Sequence, residues 1–343
     1  MLPRVDFAGG LGKLHRRVKA SWLEELLRRR LLMVTGKGGT GKSTVASALA
    51  LLAARRGLRV LLVEVECTST ARSIFGLKKT GLLPKQTAVG VDVVTIAFQT
   101  GIEELVHDVM KVPRVVKVLL RHPVISRFLR ATPSALDFVT LFLIHRFVET
   151  RTPEGEPIHH LVVMDMPAFG HARQMLAVGR NVCDLLRVGP MATRGARIDE
   201  LLHDRRSTSV VVVTLPEEMP VTETLEGYEA LSNSLELPVD PVLVNCTQRD
   251  RLDGNMRDLV EGMALRAENG GDVHGSRALR LAAERSLWAR ERLARVETLR
   301  EGLPDARLVE IPLFAGATTG MELTVRVAEV LEDLAREDRD GTR

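Results

Sequence analysis

The chain has 343 residues, enough for one large domain or two ordinary ones, and 45% hydrophobic against 27% charged residues supplies a buried core. Aromatic residues are 3%, too few for base stacking in the manner of an RNA-recognition sheet, and a net charge of +4 does not call for nucleic acid as a partner. No uninterrupted apolar run approaches the roughly 18–20 residues of a membrane span, and the N-terminus has no apolar signal-peptide region, so a cytoplasmic protein is expected. Cys67, Cys183 and Cys246 lie far apart without a CxxC pair, which fits a reducing compartment and gives no structural zinc or iron–sulfur spacing.

Residues 1–29 form a basic leader. Leu14, Val18, Trp22 and Leu26 recur every fourth position and make one apolar stripe on a helix. The stripe suits a helix docking on a membrane or partner, or one packed on its own domain. Residues 31–35 are a short apolar run, the pattern of a buried parallel strand. Residues 44–56 are helical in pattern, with Gly57 as the C-terminal cap. Further strands are expected at 59–65, 91–96, 161–164, 209–215, 241–244 and 307–311, with helical patterns between them. The alternation predicts an α/β fold: a doubly wound, mostly parallel sheet with helices on both faces. A helical insertion at 101–150, punctuated by Pro113, Pro123 and Pro133, interrupts it. Its stretch 136–148 is apolar nearly all round, and is either fully buried or a contact surface. Residues 171–205 are again helical. Residues 251–275 read as a Gly- and charge-rich loop, 276–300 as an arginine-rich helix, and 336–343 as a frayed tail. One domain is expected over 30–335.

The segment Gly36-Lys37-Gly38-Gly39-Thr40-Gly41-Lys42-Ser43-Thr44 contains G-x-x-x-x-G-K-[ST] between a strand and a helix. Gly36, Gly38, Gly39 and Gly41 let the backbone of the loop, through Thr40 and Thr44, close its N–H groups on phosphates. Lys42 is placed to reach the β- and γ-phosphates and Ser43 to ligate Mg²⁺. ATP and Mg²⁺ are therefore the expected cofactors. Lys37 makes the deviant form K-G-G-x-G-K-[ST]. In related dimeric ATPases this lysine crosses to the partner's nucleotide. The other readings are a lysine serving its own site, or a solvated one.

Further segments carry a resemblance. The strand ending Val63-Glu64-Val65-Glu66 is followed by Phe75-Gly76. The sequence Asp165-Met166-Pro167-Ala168-Phe169-Gly170-His171 follows an apolar strand. Residues 212–226 carry Pro216-Glu217 and Glu223-Thr224, Asn245 ends a strand, and Ile311-Pro312-Leu313-Phe314 ends another. Over 30–335 the chain resembles the ArsA family of arsenical-pump ATPases, which also contains targeting factors for tail-anchored membrane proteins. The resemblance implies that Glu66 stands at the switch I aspartate, which orients the attacking water, with one methylene more. It implies that Asp165 is the Walker B carboxylate for Mg²⁺, and that the Gly170 N–H meets the γ-phosphate. His171 is as well placed to start a helix as to act in catalysis. Asn245 matches the asparagine reading the adenine edge; as a plain residue it is also a turn former. Pro312 matches the segment closing the other side of the base. The family's thiol cluster and zinc CxxC are missing. With one phosphate loop, two active sites need two chains, as a homodimer or as a heterodimer with a paralogue. The implied function is an ATP-hydrolysing dimeric switch coupled to a hydrophobic client or a membrane partner, with a peripheral place at the inner face of the membrane. The alternative is a Min/Par-type positioning ATPase, for which the leader or the helix at 276–300 would supply the membrane or DNA face.

Overall fold

The computed structural model describes residues 21–65, 70–109, 133–250, 252, 254–316 and 320–340. Eight strands form one sheet: β1 (Leu31–Gly36), β2 (Val60–Val65), β3 (Lys85–Gln86), β4 (Val91–Ile96), β5 (Leu161–Ala168), β6 (Thr208–Thr214), β7 (Val239–Thr247) and β8 (Leu308–Pro312). Their order is β3-β4-β2-β5-β1-β6-β7-β8, and every pairing is parallel except β3 with β4. The expected α/β doubly wound sheet is what the chain forms. The strand missed by the sequence, β3, is two residues long, too short to show a period.

Near-continuous apolar strands imply two covered faces, and alternate residues divide between them. Leu32, Val34, Leu62 and Val163 face one layer, made by α1 (Trp22–Leu27), α2 (Lys42–Arg55), α3 (Thr70–Ile74) and the last helix. Leu31, Met33, Leu61, Val162 and Met164 face the other. That layer draws on α4 (Phe98–Val109), α5 (Pro133–Glu149), α6 (Phe169–Leu186), α7 (Pro190–His203) and α8 (Glu218–Glu229), with part of the long helix described next. Two helices, α9 (Gly254–Asn269) and α10 (Val273–Gly302), form an antiparallel hairpin, and α11 (Gly320–Asp340) closes the described chain.

Several expectations change here. Residues 251–275 are mostly helix, not loop: α9 is held by its packing on α10, with buried Ala264 and Arg257 on one side and buried Ser276, Ala283 and Ser286 on the other. Its glycines and charges hid that contact. The tail is helical to Asp340, with Arg336 paired to Glu332 and Asp333 one turn back. The apolar segment in α5 is core: Phe138, Val139, Leu141, Leu143, Ile144 and Val148 are buried. Residues 110–132, with Pro113 and Pro123, lie outside the described residues.

Of the leader's stripe, Leu14 and Val18 also lie outside the described residues, whereas Trp22 and Leu26 are buried beside β1, α2 and α11. Ser21 caps this short helix by accepting the Glu24 N–H. Six residues are too few to be stable alone, so α1 exists through what it buries. Trp22→Ala is expected to lower the free energy of unfolding by about 3 kcal/mol in urea titration. A loss below about 1 kcal/mol would mean that α1 stands outside the cooperative core.

Candidate active site

Parallel strands end at a common edge, and the sites of such sheets form there. The register places Asp165 beside both Val34 of β1 and Glu64 of β2, and Gly36 beside Val213 of β6. Gly36 has φ +146°, and an added Cβ would lie 2.0 Å from the Val213 carbonyl oxygen, so no other residue fits where the loop leaves β1. Gly41, at φ +93°, starts α2, and a Cβ there would lie 2.5 Å from Asn245 Nδ2. Between them Gly38 and Gly39 are exposed at the crest. Thr40 Oγ1 donates to the Lys37 carbonyl at 2.9 Å, and Lys42 Nζ donates to the same carbonyl at 2.8 Å. The N–H groups of Lys42, Ser43 and Thr44 occupy the first turn of α2 and have no helical acceptor. Loop and helix start thus form an anion cradle.

Asp165 is 2% exposed, and its Oδ2 has no hydrogen-bond partner among the described residues. The Ser43 hydroxyl and the Lys42 ammonium both lie close enough to favour its ionised carboxylate. Burial pushes the Asp165 carboxyl above its ordinary pKa, while Ser43 and Lys42 pull it back. Burial likewise lowers the Lys42 ammonium, and Asp165 raises it. A hydroxyl beside a buried carboxylate with one orphaned oxygen is a donor set that fits Mg²⁺. That ion keeps most of its waters and takes one or two protein oxygens. Among the described residues no group of three or more His, Cys, Asp or Glu gathers into a fuller metal site.

Lys37 Nζ is 2.6 Å from Glu223 Oε1 on α8 of its own chain. Asn245 lies at the loop: its Nδ2 donates to the Thr40 carbonyl at 2.9 Å and its Oδ1 accepts the Cys246 N–H at 3.0 Å. Cys246 takes a left-handed φ of +59°, costly for a residue with a Cβ, which marks this strand end as constrained. Arg292 of α10 holds it, donating to the Cys246 carbonyl while pairing with Glu217, both at 3.1 Å. Beyond Asn245 a cavity of about 820 Å³ opens between α10, α11 and the ends of β7 and β8; Thr247, Pro312 and Leu313 line it.

Past Asp165, Thr35 Oγ1 donates to the Pro167 carbonyl at 2.9 Å and ties this segment to β1. Gly170 sits in the first turn of α6, where its N–H has no helical acceptor. His171 Nε2 is 2.8 Å from Asp137 Oδ1 on α5. Glu66 and Cys67 lie outside the described residues. Of the expected site residues, Gly36, Lys37, Thr40, Gly41, Lys42, Ser43, Asp165 and Asn245 gather at one strand edge. Two contributions went unforeseen, Glu223 as the partner of Lys37 and Arg292, while Glu64 was read only as the alternative to Glu66 at the end of its strand. For Glu64 a signal existed, a carboxylate inside an apolar strand. Glu223 and Arg292 are distant in sequence from what they touch and gave none.

Because the Asp165 pKa is raised in the folded chain, ionising it costs stability. The cost is absent below the ordinary carboxylate range and grows as pH rises through that range. Asp165→Asn removes the charge. At neutral pH it should therefore stabilise the protein by about 1–3 kcal/mol. The gain should vanish near about pH 4. An unchanged or lower Tm at neutral pH would contradict the buried-charge account.

The family described as anion-transporting ATPase matches residues 29–194. The chain is 31% identical over 229 residues to ATPase BagA of Mycobacterium tuberculosis, which covers 65% of this chain and 67% of that one. The same figures hold for Putative ATPase Mb3704 of Mycobacterium bovis. Putative arsenical pump-driving ATPase of Halobacterium salinarum is 26% identical over 236 residues, 63% of this chain and 35% of that one. With the phosphate cradle of Lys42 beside the Asp165 carboxylate, these likenesses establish that the chain belongs to the anion-transporting (ArsA) ATPase family and is an ATPase.

Proposed function

We propose that the chain is a Mg²⁺-dependent ATP-driven switch acting as a dimer, whose hydrolysis changes how a helical insertion presents itself to a hydrophobic client or membrane partner. The observation that carries this reading is the convergence of Lys42, Ser43 and Asp165 at one strand edge, with a second loop lysine beside them. In the reading, the loop N–H groups from Gly36 to Thr44 and the Lys42 ammonium hold the phosphates. Ser43 and Asp165 hold Mg²⁺, which when bound supplies charge neutralisation at the β- and γ-phosphates. Glu66 orients the attacking water, and the Gly170 N–H meets the γ-phosphate. Asn245 and Pro312 flank the base, with the Asn245 amide shared between Thr40 and the adenine edge.

The dimer reading concerns Lys37. Its pair with Glu223 is partly exposed on both sides, so it is worth only about 0–1 kcal/mol. A phosphate presented by a second subunit outbids it easily. One domain over 30–335 with its insertion at 101–150 suits the coupling. The His171–Asp137 bond joins the turn after Asp165 to α5, a route by which the nucleotide state reaches the insertion. Leu185 and Val188, 80% and 83% exposed, offer apolar surface at the end of α6. The Min/Par alternative is less supported. Trp22 and Leu26 of the leader are spent on the protein's own core. Several arginines of α10 are paired with acids: Arg280 with Glu268, Arg292 with Glu217, Arg295 with Glu218 and Arg300 with Glu310. A metalloid site of the kind implied by the pump-driving relatives' names finds no support in Cys183 and Cys246, which contact no other thiol among the described residues. No helix among the described residues is long and apolar enough to cross a membrane.

Lys42→Ala should weaken ATP binding at least about tenfold by calorimetry, because it deletes a charged hydrogen-bond donor. Equal affinity would remove Lys42 from the site. Action of Lys37 across the interface is tested by mixing Lys37→Ala chains with Asp165→Asn chains, each nearly inactive alone. In the mixed dimer one site keeps its own Asp165 and receives Lys37 from its neighbour. That site should recover about half the wild-type rate per dimer. No recovery, with mixed dimers seen by native mass spectrometry, would return Lys37 to its own subunit.

A further inference from the structure

Glu64 is the least expected residue in the sheet. It lies within the apolar strand β2, on the face shared with Leu62 that packs on α2 and α3, and it is fully buried. A valine or leucine would occupy that position at far lower cost than a carboxylate. Two backbone groups repay part of the cost. Glu64 Oε1 accepts the Ala71 N–H at 2.7 Å and Oε2 accepts the Arg72 N–H at 3.2 Å. Both donors belong to the first turn of α3, where a helix offers no acceptor of its own. The neighbour on β5 at the same register is Asp165. The carboxylate thus joins the end of β2, the start of α3 and the strand position of the Mg²⁺ carboxylate.

We propose that Glu64 is a positioning residue for hydrolysis: it fixes the start of α3 to the end of β2, at the register position beside Asp165. Glu64 itself touches neither phosphate nor metal in this role. Its effect on turnover rests on the reading of Glu66 given above, whereas its effect on α3 does not. The carboxylate is suited to the task because its two oxygens accept from two successive amides at once. A glutamine keeps one acceptor and turns an N–H₂ toward the other donor. A methionine fills the volume and accepts nothing.

The test is amide hydrogen exchange in the full chain, read at Ala71 and Arg72. These amides have no helical acceptor, so their protection reports Glu64 directly. Relative to wild type, Glu64→Met should speed exchange at both amides by about tenfold or more, and Glu64→Gln should speed it mainly at one, with the core strands unchanged. Turnover should follow: kcat falls about tenfold in Glu64→Met while KM for ATP stays within about twofold, and Glu64→Gln lies between. Unchanged exchange in Glu64→Met overturns the contact. Faster exchange with wild-type kcat overturns the positioning role. If Glu66→Gln leaves kcat intact, the assignment of Glu66 falls and the role of Glu64 in turnover falls with it, while its hold on α3, read by exchange at Ala71 and Arg72, stands or falls separately. Glu64→Met removes a buried charge and is not expected to unfold the chain. A parallel loss of kcat and of core-strand protection would assign the effect to folding and also overturn the proposal.

Discussion

Among the described residues, Asp165 carries one carboxylate oxygen with no hydrogen-bond partner, on a buried strand flanked by apolar side chains. A charge in that position raises the energy of the empty site, and everything near it moderates that energy without cancelling it. The Ser43 hydroxyl and the Lys42 countercharge favour the ionised form, and the first turn of α2 adds the positive end of a helix dipole. On the proposed reading, the remaining deficit is what would favour a cation there and, through it, phosphate.

The parallel register makes this placement possible. Val34, Asp165 and Glu64 lie side by side on β1, β5 and β2, so the loop after β1, the turn after β5 and the segment after β2 leave the sheet together. On the flank, Asn245 and Arg292 lock the loop to β7 and to the α9–α10 hairpin. On the proposed reading the base side of the site is therefore buttressed by helices far along the chain, while the phosphate loop follows directly on β1 and Asp165 comes to it through the register with β5.

That division explains what the sequence revealed. The strands and the phosphate loop were legible because they depend on local pattern: apolar runs, glycines at fixed spacing, and a lysine and serine at the helix start. Asp165 was legible because it ends such a run. The partner of Lys37 was not, since Glu223 meets it only through the tertiary placement of α8. The hairpin helix α9 was misread as loop because glycine and charge mark turns on average, and its small buried seam against α10 carries no strong periodic signal. The apolar segment of α5 fitted burial or contact equally well from its composition; packing against β5, α6 and α7 decided it.

The outermost strand beyond β4 has a consequence for how copies of this chain can meet. Lys85 and Gln86 are exposed, antiparallel to their neighbour, and only two residues long. An edge this short, carrying a lysine, gives an incoming strand almost no backbone to zip onto. Growth of the sheet from one molecule into the next is therefore suppressed at that border. Any contact made at that border would have to use side chains in place of backbone pairing.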